Sequence, residues 1–282
     1  MGAPCGFSYN IPNFEVMRFV ILIFRKIYAG WCVASFLVPF FLFYPLFMLF
    51  TSRPAWYKHA HNLNRLWSGL QLRLYGLPVS IEGRHHLDAQ TTYIFTPNHS
   101  SYIDIPLLLQ TIPGFLNFVG KDGLAKVPLW GPIYKKLYIT VDRRNAVSSA
   151  RSYIRSKKTV AEGRSLVIFP EGTIAETAGV EMLPFKDGPF KLAIETQSPL
   201  VPVTMPFNHI FLPDVDGKFI VRWHPLKMVI HAPIPTAGLT LADLPALKNK
   251  AFNLIQNELT KHAHEHRYSN HPETSALSPS GI

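Results

Sequence analysis

From Phe19 to Phe50 the chain is apolar except for Arg25 and Lys26, and Ile27 to Phe50 gives 24 residues without a formal charge. About 20 such residues suffice to span the hydrocarbon of a bilayer. A run of this length must be covered by lipid or by other protein. Pro39 and Pro45 each remove a helix hydrogen bond and favour a kink. Two arrangements satisfy the pattern: a single spanning helix, or a helical hairpin held in one leaflet. Between Met1 and Leu70 six cations (Arg18, Arg25, Lys26, Arg53, Lys58, Arg65) stand against one acid, Glu15. Three cations lie on each side of the apolar run, so the charge balance assigns no orientation.

The remainder is built differently. Beyond Leu70, short apolar stretches alternate with helical ones. Strands are expected near 92–95, 118–120, 138–141, 166–169, 201–205, 219–223 and 228–231, and helices across 103–110, 146–162, 190–197 and 241–262. This alternation predicts an α/β fold with a mixed, largely parallel sheet flanked by helices, carrying an N-terminal apolar helical membrane-anchoring segment. The expected organisation is an anchor over 1–68, a catalytic domain over 69–264 and a disordered polar tail over 265–282. Where the domain passes into the tail, His262, His264 and His266 read as a frayed helix end, not a metal site.

Charged residues make up 16% of the chain and the net charge is +10. A usual charged share is about 25%. The shortfall, with cations flanking the apolar run, points to anionic lipid head groups. No basic recognition helix, zinc knuckle or aromatic RNA-binding signature accompanies the charge, so nucleic acid is set aside as a partner. Cys5 and Cys32 suggest neither a disulfide framework nor a metal cluster.

Four stretches carry chemistry. Asn98-His99-Ser100-Ser101 through Asp104 follows the first strand and puts a carboxylate five residues after a histidine. Five residues on one helix would place the pair roughly 140° apart. The two meet best if His99 lies in the loop and Asp104 in the first turn of the following helix. A neutral imidazole takes a proton from an alcohol near neutral pH, and a carboxylate fixes its tautomer. Lys121 follows the second strand, and Asp142-Arg143-Arg144 follow the third. A planar guanidinium there can hold a phosphate at two points. Glu171, Gly172 and Thr173 occupy a turn after Phe169-Pro170, able to bind an anion or polyol through amides and a hydroxyl. Lys186 and Val201-Pro202-Val203 complete the set.

In this order the four stretches resemble those of the glycerolipid acyltransferases: N-H-x-S-x-x-D at 98–104, Asp142-Arg143 after a strand, F-P-E-G-T at 169–173 and V-P-V at 201–203. The resemblance runs from about Tyr75 to Thr260. It implies acyl transfer from acyl-CoA or acyl carrier protein to the hydroxyl of lysophosphatidate, forming phosphatidate at the cytoplasmic side of a membrane. No cofactor or metal is implied. His99 and Asp104 would be catalytic, His99 as general base in a direct attack without an acyl-enzyme. Asn98, Ser101, Lys121, Arg143, Glu171, Gly172, Thr173 and Lys186 would contact substrate. One departure is Ile174, where the family usually carries arginine or another polar residue. This keeps open another lyso-lipid or an aminolipid as acceptor. A catalytically inactive lipid-binding protein and a hydrolase using Ser100 are the remaining alternatives. The second lacks the G-x-S-x-G elbow.

Overall fold

The computed structural model describes residues 14–174, 181–214 and 219–270, with side chains placed from 16 to 263 within those ranges. A long first helix, α1 (Phe14–Phe50), is followed by α2 (Tyr57–Leu74) and strand β1 (Val79–Glu82). Next come β2 (Ile94–Pro97), α3 (Asp104–Thr111), β3 (Leu116–Lys121), α4 (Trp130–Leu137), β4 (Ile139–Val141), α5 (Ala146–Ala161) and β5 (Ser165–Val167). The chain then runs through α6 (Gly188–Thr196), β6 (Leu200–Thr204), α7 (Asn208–Phe211), β7 (Leu226–Ile230) and α8 (Leu244–Asn270).

The strands form one sheet in the order β1-β7-β6-β2-β5-β3-β4. Neighbours from β6 to β4 are parallel, β7 runs antiparallel to β6, and β1 is parallel to β7. The expected mixed, largely parallel sheet is therefore present. Side chains alternate between its faces as the pleat requires. Phe95, Val167 and Val201 join one core with Trp67, Leu108 and Ile133 from α2, α3 and α4. Ile94, Leu166 and Leu200 join the other with Val160, Phe190 and Ile255 from α5, α6 and α8. With both faces covered, the central strands read as continuous apolar runs.

Several expectations shift. Residues 219–223, Phe-Ile-Val-Arg-Trp, are apolar except for Arg222 but form no strand: Val221 is buried, while Phe219 and Trp223 are exposed and the segment has no ladder neighbour. Strand β1 carries Ser80 and Glu82 at the sheet edge, a polar pattern that concealed it. The boundary drawn at 68 falls inside α2, whose Trp67, Leu63 and Leu72 belong to the hydrophobic core shared with the sheet. Helix α8 continues to Asn270, past the boundary at 264, and residues 271–282 lie outside the described residues.

Helix α1 runs unbroken through Pro39 and Pro45, so no hairpin turn divides the apolar run. The chain returns instead through α2. Tyr28 and Trp31 donate to the carbonyls of Tyr75 and Leu74 at 2.6 Å each, and Phe40 and Phe47 pack their rings against Trp67 and Trp130. The outward face stays bare: Phe24, Ile27 and Leu42 are exposed, and Val16–Phe50 is long and apolar enough to cross a membrane.

The helix layer also contains an acid-sensitive joint. His61 of α2 is buried, with Nε2 3.2 Å from the Gly114 carbonyl oxygen and 3.4 Å from the Leu116 amide nitrogen. Burial, helped by the nearby Arg65 charge, pulls its pKa down to about 4. The unfolded value is about 6.5, so the neutral ring's stabilising contribution is complete above that pH and is lost as pH falls towards 4. We expect the stability difference between the native protein and His61→Gln to narrow by up to about 3 kcal/mol between pH 7 and pH 4. Urea melts across that range check it. A constant difference would mean that His61 titrates alike in both states.

Candidate active site

Each parallel strand delivers its motif at the C-terminal edge of the sheet, the usual location of ligand sites in open α/β sheets. Strand β2 ends at Pro97, immediately before Asn98 and His99. Asp104 is the first residue of α3, as the spacing predicts. Its Oδ2 lies 2.8 Å from His99 Nδ1 and accepts the backbone N–H groups of Ser100 and Ser101 at 2.9 and 3.1 Å. Its Oδ1 accepts from Asn208 Nδ2 at 2.7 Å. The Asp104 side chain is 0% exposed and that of His99 is 15% exposed. A carboxylate this deep is tolerable only because both oxygens are bonded.

The arrangement specifies the imidazole. A carboxylate accepts, so Nδ1 carries the proton towards Asp104 and Nε2 is left with its lone pair. The ring stacks on Phe169, with centroids 3.8 Å apart and planes 19° from parallel. Held on one side by Phe169 and at one nitrogen by Asp104, the ring can take a proton from a hydroxyl brought to Nε2.

Asn98, Ser101 and Glu171, expected among the substrate contacts, direct their polar atoms at the protein's own backbone instead. Asn98 donates to the Met205 carbonyl at 3.1 Å and accepts the Met205 N–H at 2.7 Å. Ser101 donates to the Leu212 carbonyl at 2.6 Å. Glu171 accepts from the N–H groups of His99 and Leu183 at 2.8 and 2.9 Å. All three are buried. Burial pushes the Glu171 carboxyl above its ordinary range, while the two N–H donors act in the opposite direction. These residues set the shape of the site from beneath.

Arg143, Gly172 and Lys186 do come together. Gly172 has φ +82°, the left-handed region that favours glycine. A Cβ there would fall 2.9 Å from Lys186 Nζ and 3.2 Å from Arg143 Nη1. The absent side chain thus leaves room for two cations over one turn. Lys186 N–H also donates to the Pro170 carbonyl at 2.9 Å. Partial desolvation draws the Arg143 guanidinium below its ordinary pKa, with Tyr134 acting oppositely. Arg144 turns outward: its side chain is 93% exposed and its Nε lies 3.6 Å from Asp142. Lys121 ends β3 in register with Val141 of β4, two residues before Arg143, and its side chain is directed along Gly123. Thr173 is exposed at the tip of the turn. No group of three or more histidine, cysteine, aspartate or glutamate side chains suited to a metal occurs among the described residues.

A family model described as Acyltransferase matches residues 78–206, the stretch holding all four motifs. That span is similar to the acyltransferase family. Human 1-acyl-sn-glycerol-3-phosphate acyltransferase alpha is 30% identical over 182 residues, covering 63% of this chain and 62% of that protein. The 1-acyl-sn-glycerol-3-phosphate acyltransferase of Limnanthes alba is 32% identical over 180 residues, covering 61% of this chain and 60% of the relative. The matched stretch thus spans about three fifths of these relatives. The crystal structure of the 1-acyl-sn-glycerophosphate (LPA) acyltransferase PlsC from Thermotoga maritima shares the fold. Its TM-score is 0.70 at 19% identity, over 85% of this chain and 98% of that one.

The turn at 169–173 yields a direct test. Gly172→Ala is expected to cost about 1–2 kcal/mol of stability from the left-handed backbone. It should also push the two cations apart and weaken anion binding there severalfold. Urea melts and titration with inorganic phosphate measure the two effects separately. Lowered stability with unchanged phosphate affinity would show that the turn does not hold the cations.

Proposed function

We propose that this protein moves a fatty acyl group from a thioester to the free hydroxyl of lysophosphatidate, forming phosphatidate. The observation that carries the reading is the His99–Asp104 pair, with Nε2 unbonded among the described residues, next to a turn that gathers Arg143 and Lys186. Base and anion-binding groups share one turn: Phe169 stacks on His99, and Gly172 lies three residues later.

The acceptor hydroxyl gives its proton to Nε2 as its oxygen attacks the thioester carbonyl carbon. Asp104 stabilises the imidazolium that forms. The tetrahedral intermediate then collapses, the carbon–sulfur bond breaks, and the imidazolium returns the proton to the departing thiolate. Base catalysis contributes about 10²–10⁴-fold, so holding hydroxyl and thioester in line supplies much of the remainder. Arg143 and Lys186 bind the acceptor's phosphate, with Lys121 and Thr173 at the rim. The donor is a fatty acyl thioester of coenzyme A or acyl carrier protein, a substrate in either case. The bare face of α1 and its flanking cations fit a membrane anchor, with the site facing the cytoplasmic leaflet. This would let the enzyme take its acceptor from the bilayer.

A second acceptor class remains in play because of Ile174. The family's usual cation is absent there, so another lyso-lipid or an aminolipid with less head-group charge also suits the site. Transfer from radiolabelled oleoyl and palmitoyl thioesters to lysophosphatidate, glycerol 3-phosphate and lyso-aminolipids decides between them.

His99→Ala is expected to lower transfer by at least ~10²-fold with the fold intact. More than about a tenth of native activity would exclude the base assignment. Arg143→Ala is expected to lower efficiency towards phosphate-bearing acceptors by about ten- to a hundredfold, with little change in the KM for the thioester, because a charge-assisted bond contributes roughly 1.5–3 kcal/mol. Arg143→Lys should recover part of that loss. An equal loss with uncharged acceptors would make Arg143 structural.

A further inference from the structure

Asp104 has two oxygens and an uneven set of partners. Oδ2 serves His99 Nδ1 and the N–H groups of Ser100 and Ser101, all within the same short loop. Oδ1 is reached from elsewhere in the chain, by Asn208 Nδ2 at 2.7 Å across 104 residues of sequence. Asn208 begins α7, just beyond the end of β6, and is fully buried. Its amide orientation follows from its partner: a carboxylate oxygen accepts, so the NH₂ group must face it. The Asn208 carbonyl oxygen then finds no hydrogen-bond donor among the described residues. Leaving such a buried atom unbonded is unfavourable. The side chain nonetheless takes the orientation that serves Asp104.

The surrounding bonds fit this role. Asn98 grips Met205 through two hydrogen bonds and Ser101 grips the Leu212 carbonyl, so the catalytic loop is stitched to the segment on both sides of Asn208. That stitching fixes where the carboxamide arrives, within the reach of a single hydrogen bond.

We propose that Asn208 is a positioning residue for acyl transfer: it locks the rotation of the Asp104 carboxylate so that Oδ2 holds the Nδ1 proton of His99 and Nε2 is kept as the base. Without this donor, Oδ2 keeps the Ser100 and Ser101 N–H groups but nothing fixes Oδ1, and the carboxylate can tilt about its terminal torsion. The ring then loses its single orientation, and the two neutral tautomers mix. Asn208 is fully buried, so its effect is expected on the chemical step and not on binding.

The proposal rests on the reading of His99 as base, and the test includes an arm independent of that reading. Nitrogen-15 spectra of labelled imidazoles, with His99 assigned by comparison with His99→Ala, report the tautomer without any substrate. The native protein is expected to show Nδ1 protonated and Nε2 bare in its neutral form. Asn208→Ala is expected to show a mixture. Its kcat should fall about tenfold or more, with the KM of thioester and acceptor each within about twofold of native. Asn208→Asp keeps the side chain's shape but sets a second carboxylate against Asp104, and it should lose at least as much at neutral pH. Thermal melts establish that the variants fold, and either one suffices for the comparison. An unchanged tautomer in a folded variant, or a loss carried by KM, would overturn the positioning role. If His99→Ala keeps high activity, the base assignment fails, while the spectra still decide whether Asn208 orients the pair.

Discussion

A carboxylate withdrawn from water needs donors on every side, and Asp104 is such a group. Satisfying it draws together the His99 ring, the peptide groups of Ser100 and Ser101 and the Asn208 carboxamide. The loop after β2, the start of α3 and the segment after β6 must therefore meet at one point. A second buried carboxylate extends the arrangement. Glu171 accepts the His99 and Leu183 N–H groups, tying the loop after β5 to the same histidine. Two acids thus hold one histidine, Asp104 through its ring and Glu171 through its backbone. Their geometry is maintained by hydrogen bonds that burial makes costly to break.

The parallel sheet supplies the platform for this meeting. Strands β2, β3, β4, β5 and β6 all point the same way, so the loops carrying His99, Lys121, Arg143, Gly172 and Met205 gather at one edge. Glycine at 172 lets two cations approach the turn that also bears Glu171 and Phe169. The His99 ring and backbone and the two cations therefore all meet residues 169–172. On one face of the sheet, α2 is packed into the hydrophobic core and α1 is fastened to it through Tyr28 and Trp31. The long apolar helix and the candidate site are thus joined by direct packing and hydrogen bonds.

Some of this was legible in the amino-acid order. The His99–Asp104 pair is local, and five residues across a strand-to-helix turn suffice to infer contact. The central strands read clearly because burial on both faces makes them apolar throughout. Other features depended on distant parts of the chain. Asn208 is an ordinary asparagine in sequence and gains its meaning from a carboxylate 104 residues away. Asn98, Ser101 and Glu171 carry the right chemistry for substrate binding, yet their orientation is decided by backbone groups from other loops. Strand β1 was hidden because it is only four residues long and half of them, Ser80 and Glu82, are polar, and 219–223 misled because an apolar run does not by itself create a neighbouring strand. Helix α2 was taken with the anchor because it follows the apolar run closely. Its Trp67 and Leu72 show that it belongs to the core.

The central claim is that the acceptor hydroxyl attacks the thioester directly, with the proton going to His99 Nε2. Rapid-quench measurement with a radiolabelled acyl thioester and no acceptor tests it most directly. The account predicts no label retained on denatured protein and no burst of free thiol, with both thiol and acylated product appearing only once lysophosphatidate is added. A stoichiometric burst of thiol with label bound covalently to the protein would contradict it and place the acyl group on a side chain before transfer.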